Sequence, residues 1–190
     1  MTPSRHGDRE ARFRELYLSS YADVVRFAAR RVEEREAEDV AADAFLVVWR
    51  RFEELPERTS DARAWLFGIT RGCLLNTRRG RSRHDGLAVR LSSFPRGEGD
   101  AGALGEEVAR RLDLVAAWQT LTPGEQEVLA LALLDDTTSA EAAVVIGVTA
   151  TAYRLRLMRA RAVLRRRLVH PSQAPPTPYV TRRPALEASP

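Results

Sequence analysis

Lysine is missing from this 190-residue chain: all 30 of its basic residues are arginine. Bias toward GC-rich codons accounts for that swap, so the absence alone names no partner. Cysteine is nearly missing too. The single Cys73 excludes an intramolecular disulfide framework and a multi-cysteine metal site. The histidines, His6, His84 and His170, stand far apart, so no metal centre is expected. No apolar run approaches the ~20 residues that a membrane-spanning helix needs, and the first residues, Met1 to Phe13, are polar and lack the apolar core of a secretory signal. No membrane insertion is expected, and the expected location is cytoplasmic. There is no phosphate-binding glycine loop, no dinucleotide fingerprint and no Ser/His/Asp or Cys/His set. The reading is therefore of a protein without catalytic residues or cofactor, and not an enzyme.

What is present is globular: 44% of residues are hydrophobic and 29% charged, ordinary values for a folded domain. The length suits one ordinary domain or two small helical ones. The formal net charge of +4 hides an uneven distribution. Arg71, Arg78, Arg79, Arg81 and Arg83 follow one another with no acid among them. So do Arg154, Arg156, Arg159, Arg161 and Arg165 to Arg167. Acids gather instead between Glu33 and Asp61. Two cationic blocks flanking an acidic stretch point to two contacts with a polyanion and one surface of opposite sign.

The apolar pattern is helical nearly throughout. Phe13, Leu16, Tyr17, Tyr21, Val24, Val25, Phe27, Ala28 and Val32 recur at steps of three and four, the mark of one buried stripe. A second helix is expected from about Glu36 to Phe52, with Val40, Ala44, Phe45, Val48, Trp49 and Phe52 inward. Leu55-Pro56 closes it, because proline cannot extend the hydrogen-bond ladder. Asp61 is the expected N-cap of a third helix, which carries Trp65, Leu66, Ile69, Cys73 and Leu74 into Arg78-Arg79-Gly80-Arg81. Trp65 reads as core; Phe67 reads either way.

Between His84 and Gly105 the pattern breaks into glycine, serine and proline, the composition of a flexible linker. About 22 extended residues reach on the order of 75 Å, roughly two turns of duplex DNA. Helices resume after Glu106, the first of them from Glu107 to Gln119. Thr122-Pro123-Gly124-Glu125 opens the next: threonine caps, proline fits the first turn, and glutamate reaches back. Thr138-Ser139-Ala140-Glu141 repeats the capping signature and starts a short helix ending at Gly147. Past His170 the proline-rich tail reads as disordered. The fold class is all-α, with a helical bundle over residues 10–83, a linker over 84–106, a second helical domain over 107–170, and a tail over 171–190.

Thr138 to Gly147, a tight turn, and Thr149 to Arg167 form a helix-turn-helix pattern. Gly147 supplies a left-handed backbone position and Thr149 caps the second helix. The start of such a helix faces base edges in the major groove. Thr151, Arg154 and Arg156 lie there, and an arginine fork matches guanine O6 and N7. Arg159, Arg161 and Arg165 to Arg167 are placed for phosphates. The plain alternative is a solvated basic helix end. Arg71 to Arg83, with Trp65, Phe67 and Asn76 nearby, offers arginines and flat groups on which unstacked bases can lie. Glu36, Glu38, Asp39 and Asp43 on the second helix form either a solvated acidic face or a docking surface for a basic partner.

These segments, in this order, resemble a known family. Phe13 to Tyr17 with Tyr21 to Arg31 is similar to the opening helix of extracytoplasmic-function sigma factors. Ala37-Glu38-Asp39-Val40-Ala41-Ala42-Asp43-Ala44-Phe45 through Trp49 and Phe52 resembles their polymerase-binding helix. Ala64-Trp65-Leu66-Phe67-Gly68-Ile69-Thr70-Arg71 and the arginines after it resemble the segment that melts and reads the −10 element. Leu121-Thr122-Pro123 through Arg161 is similar to their second domain, which reads the −35 element. The resemblance implies docking on the clamp helices of the largest subunit of core RNA polymerase through Asp39, Asp43, Phe45 and Trp49. It implies −10 contacts from Arg71, Asn76, Arg78, Arg79 and Arg81, and −35 contacts from Thr149, Thr151, Arg154, Arg156 and Arg159. Promoter DNA is then a partner, and the family often has an anti-sigma partner as well. The chain departs from the family pattern at Ala42, where glutamine is usual, at Gly72, where asparagine is usual, and at Asn76, Ala152 and Leu155.

Two other functions compete. A conventional helix-turn-helix regulator would bind duplex DNA without polymerase, as a dimer on a palindrome. A degenerate sigma-like protein would titrate polymerase or an anti-sigma partner without starting transcription; the departures at Ala42, Gly72 and Ala152 are the features that speak for it.

Overall fold

The computed structural model describes the backbone over residues 5–79 and 104–169 and the side chains over 8–77 and 108–169. The linker over 84–103, Arg81 and the tail lie outside the described residues, as do the side chains of Arg78 and Arg79. Every described regular element is helical. The order is α1 (Arg5–Ala29), α2 (Glu34–Arg50), a 3-10 turn (Phe52–Glu54), α3 (Thr59–Arg79), α4 (Leu104–Gln119), α5 (Pro123–Leu133), α6 (Ser139–Ile146) and α7 (Ala150–Val169). Helices α1 to α3 form an N-terminal unit and α4 to α7 a C-terminal one.

In the N-terminal unit the spacing of three and four brings Leu16, Val24, Phe27 and Ala28 of α1 against Val40, Ala44, Phe45 and Val48 of α2, all buried. Leu66, Phe67, Ile69 and Leu74 of α3 close the core. Phe67 is 1% exposed and stacks on Phe27 with ring centroids 4.8 Å apart. Trp65, read as core from its pattern, is only half-buried; its ring lies 5.8 Å from the Arg51 guanidinium. Of two aromatics two positions apart on a helix, only one can face inward, and here it is Phe67.

Helix boundaries differ from the sequence reading in three places. Helix α2 spans Glu34–Arg50, and Phe52 belongs to the 3-10 turn, whose end Leu55 bonds back to the Phe52 carbonyl. Helix α3 starts at Thr59, so Asp61 is not its N-cap; its exposed carboxylate sits in the first turn, where the helix dipole favours an acid. Helix α4 includes Leu104, Gly105 and Glu106, which the sequence reading left to the linker.

The C-terminal unit follows its local signals closely. Thr122 and Thr138 each accept from the backbone N–H three residues on, while Glu125 and Glu141 accept from the cap N–H. Such a reciprocal box stabilises a helix start by about 1 kcal/mol. Buried Leu129, Leu131, Ala142, Val145, Tyr153, Leu157 and Ala160 fill the space between α5, α6 and α7.

The two units are docked on each other, an arrangement no local sequence signal announced. Helix α6 crosses α3 where Gly68 leaves room: a β-carbon there would sit 3.8 Å from the Val144 carbonyl and Val145 Cα. Arg31, at the end of α1, is fully buried between the units.

Candidate nucleic-acid interface

Helices α6 and α7 make the helix-turn-helix expected from the sequence. Gly147 ends α6 at φ 70°, ψ 42°, and its N–H bonds back to the last turn of α6. That left-handed position disfavours any residue with a β-carbon. Thr149 Oγ1 then accepts from the Ala152 N–H at 3.1 Å, capping α7. The inner face of α7 is held by Tyr153, Leu157 and Ala160, all buried. Tyr153 donates its hydroxyl to the Val128 carbonyl of α5 at 2.9 Å. Burial, the larger effect, pushes its pKa up to about 12 against the opposing charge of Arg161.

That anchoring fixes what the outer face presents. Thr149, Thr151 and Arg154 are exposed, and Arg154 Nη2 lies 3.3 Å from Thr151 Oγ1. Leu155 and Met158 are exposed beside them, an apolar pair able to meet thymine methyls. Leu155 had entered only as a departure and Met158 not at all; apolar residues flanking arginines at helical spacing were the available signal. Arg156 and Arg159 sit on a different side of the helix. They line a cavity of about 500 Å³ between the units, together with Arg71, Leu75, Glu127 and the start of α5. The structure therefore separates Arg154 from Arg156, which the sequence had paired as readers.

On α3, Asn76 is exposed and Arg71 half-buried. Both line a cleft facing Val144 to Gly147 of α6, with Trp65, Gly68, Gly72 and Cys73. Burial, with the charge of Asp43 adding to it, raises the Cys73 thiol above its ordinary value, so it stays a neutral, weakly polar group. Arg71 approaches Glu127 at 3.9 Å.

Helix α2 shows a mixed outer stripe. Asp39, Ala42 and Asp43 are exposed, and Leu46 follows on the same face at 55% exposure. Leu46 is an exposed apolar side chain on an acidic face, a feature that the sequence reading missed. Phe45 is 4% exposed, clasped by Phe13, Tyr17 and Tyr21, so its ring shapes the patch from beneath. Trp49 is half-buried under the Arg9 guanidinium, 4.4 Å from its ring.

A helical chain with a capped helix-turn-helix, a basic reading face and a separate acidic-apolar patch is a DNA-binding protein built to hold a protein partner at the same time. The comparisons with known proteins sharpen this class. The family model for Sigma-70 region 2 matches residues 16–84, and that for Sigma-70, region 4 matches residues 107–164. The chain belongs to the sigma-70 family, in its extracytoplasmic-function type. It is a sigma factor, binding core RNA polymerase and directing initiation at promoters; the two competing functions are not favoured.

Among solved structures, CnrH in complex with the cytosolic domain of CnrY is 25% identical, with TM-score 0.54 over 84% of this chain and 89% of that one. The sigma factor RpoE of Bartonella quintana, in complex with the anti-sigma factor NepR, is 21% identical, with TM-score 0.59 over 83% of this chain and 96% of that one. No curated protein sequence matches the chain. Among the described residues, no helix is long and apolar enough to cross a membrane.

Proposed function

We propose a division of labour within this sigma factor. Residues 10–83 dock on the clamp helices of the polymerase largest subunit and hold the −10 element; residues 107–170 read the −35 element; residues 84–106 tether the two, and 171–190 form a tail. The observation that carries this is the separation of surfaces: an exposed Asp39–Asp43–Leu46 stripe on α2 and an exposed Thr149–Thr151–Arg154 face on α7. Asp39 and Asp43 meet basic groups of the clamp, Leu46 adds apolar contact, and Phe45 and Trp49 keep the helix surface in shape. Arg71 and Asn76, with Arg78, Arg79 and Arg81, hold the separated strand. Arg154 reads a base; Arg156 and Arg159 bind phosphates or a second base.

The chain acts in the cytoplasm as a specificity subunit and carries out no catalysis of its own. An anti-sigma partner masks its contact surfaces; the similar sigma factor RpoE was solved in complex with an anti-sigma factor, NepR. Ala42, Gly72, Ala152 and Leu155 leave out polar contacts usual in the family. At ~1 kcal/mol for each lost hydrogen bond, the loss of two such contacts weakens polymerase or DNA binding by several-fold to tens-fold without abolishing it.

The test is a pull-down on core polymerase followed by transcription from genomic fragments. Specific initiation upholds the reading. Binding without initiation would reduce the chain to a titrating protein, and absence of binding would remove polymerase docking altogether. Reversing both acids, Asp39→Arg with Asp43→Arg, should weaken capture of core polymerase by more than tenfold, since like charges across an interface cost several kcal/mol.

A further inference from the structure

An acid at the end of a helix is badly placed, because the helix carbonyls there already carry partial negative charge. Asp135 follows the C-terminus of α5, and its side chain is only 1% exposed. Both of its carboxylate oxygens are taken by arginines from the other unit. Arg30 Nη1 donates to Oδ1 at 2.6 Å, and Arg31 Nη2 donates to Oδ2 at 2.8 Å. A third arginine, Arg63 of α3, donates to the Asp135 backbone carbonyl at 3.1 Å. The loop is held in shape for this grip: the Asp135 N–H bonds to the Ala130 carbonyl, and Thr137 Oγ1 donates to the Leu131 carbonyl at 2.7 Å.

The receiving side is equally built. Arg31 is fully buried, lies 3.6 Å above the Phe27 ring, and also meets Glu127 of α5 at 3.2 Å. Phe27 stacks on Phe67, and the Arg63 guanidinium lies 4.6 Å from the Phe67 ring centroid. Arg31 on Phe27 and Arg63 on Phe67, with the two rings stacked, bring two guanidinium groups to one loop. Removing one partner from such a buried set leaves an uncompensated charge.

We propose that Asp135, gripped by Arg30, Arg31 and Arg63, is a latch that holds the sigma factor closed and keeps α6 packed over part of the −10 face, at Gly68 and beside the half-buried Arg71. The proposal rests on the functional reading only for what is covered: Arg71 and Asn76 face the end of α6 across a cleft, and Arg156 and Arg159 share a cavity with Arg71. Asn76, Arg156 and Arg159 are exposed already; opening uncovers Arg71 and the α3 surface under α6 and separates the facing arginines. A separated DNA strand and the closed arrangement compete for the same face of α3.

The latch is tested on the full chain in the absence of polymerase and DNA. Donor and acceptor dyes are placed at exposed Arg14 and Ala162 by substitution to cysteine in a Cys73→Ser background, and single-molecule energy transfer counts closed and extended molecules. The parent should be predominantly closed. Asp135→Asn keeps the shape and removes the charge; it should lower the closed-to-open ratio by roughly a hundredfold or more, the loss of one partner of a buried charge pair. Arg63→Ala, at a half-exposed position, should lower it by about fivefold, one hydrogen bond. A predominantly extended parent overturns the proposal. So does an Asp135→Asn chain with unchanged helical circular dichroism and unchanged energy transfer. If Asp135→Asn fails to fold, Arg63→Ala decides: a shift supports the latch and no shift refutes it. Polymerase capture is measured separately, so a failed latch and a failed polymerase reading give different results.

Discussion

Tyr153→Phe removes a single oxygen from the centre of the helix-turn-helix, and its consequences can be worked out at two pH values. At pH 8 the hydroxyl bonds the Val128 carbonyl at 2.9 Å inside a site that is 1% exposed. A neutral hydrogen bond contributes a net 0.5–1.5 kcal/mol, about 1 here, because a mid-helix carbonyl keeps its helix partner after the hydroxyl is gone. A loss of ~1 kcal/mol lowers the melting temperature of a small domain by about 4–8 °C. In alkali the sign reverses. Burial holds the folded-state pKa up at about 12 against an ordinary value of 10.0. Below pH 10 both states keep the proton and the full stability is present. Above pH 10 the unfolded chain loses it while the folded chain does not, so stability falls as pH rises toward the folded pKa. A gap of about two pH units corresponds to ~3 kcal/mol. Phenylalanine has no proton to lose, so the variant should be the less stable at pH 8 and the more stable by pH 11.5. Urea denaturation at both pH values, followed by circular dichroism, reads the crossing. The other three tyrosines are common to both chains and cancel in the difference. Parallel stability curves for the two chains would show that the hydroxyl is neither buried nor bonded as described.

Three further outcomes follow from single positions. Gly147→Ala should destabilise the C-terminal unit by about 1–2 kcal/mol from backbone strain alone, since no atom lies within 4 Å of the new β-carbon; Asn at the same position should recover part of the loss in a thermal melt. Gly72→Ala should stabilise α3 by about 0.5–1 kcal/mol, because Gly72 is helical with open space around its β-carbon; a lower melting temperature would contradict that placement. Arg154→Ala should cost ~1–3 kcal/mol at one promoter position in a binding assay over single-base variants, while equal loss on every sequence would make it a phosphate contact.

What was legible in the sequence was what depends on near neighbours. The boxes at Thr122 with Glu125 and Thr138 with Glu141, the turn at Gly147 and the cap at Thr149 each need only four or five adjacent residues, and each stands as read. The start of α3 did not follow, because Asp61 suits a first turn as well as a cap. The choice between Trp65 and Phe67 turned on which ring meets Phe27 of another helix, and no local pattern carries that. Arg154 and Arg156 read alike, two basic residues near a helix start; their separation comes from the rotation that Tyr153, Leu157 and Ala160 impose. Arg31 was the hardest. An Arg-Arg pair at a helix end reads as solvated, and its partners lie 96 and 104 residues away.

The chemistry of that contact decides how the two units can part. An apolar interface of the same size would be held by surface that water rejects in every state, whereas each ion of the Arg30, Arg31, Glu127 and Asp135 set regains full hydration once the units separate. Ion pairs of this kind contribute little net stability over well-packed apolar groups, while fixing one geometry against others. The docking is therefore specific without being deep. The cavity beside it adds a bias toward opening. Arg71, Arg156 and Arg159 face a shared space in which Glu127 lies 3.9 Å from Arg71 while Glu125 closes a capping box, and among the described residues one oxygen of Glu127 has no hydrogen-bond partner. Like charges brought together repel, and a phosphate backbone would relieve that repulsion for each arginine separately. The arginines proposed to bind DNA thus also make the proposed closed form easier to leave.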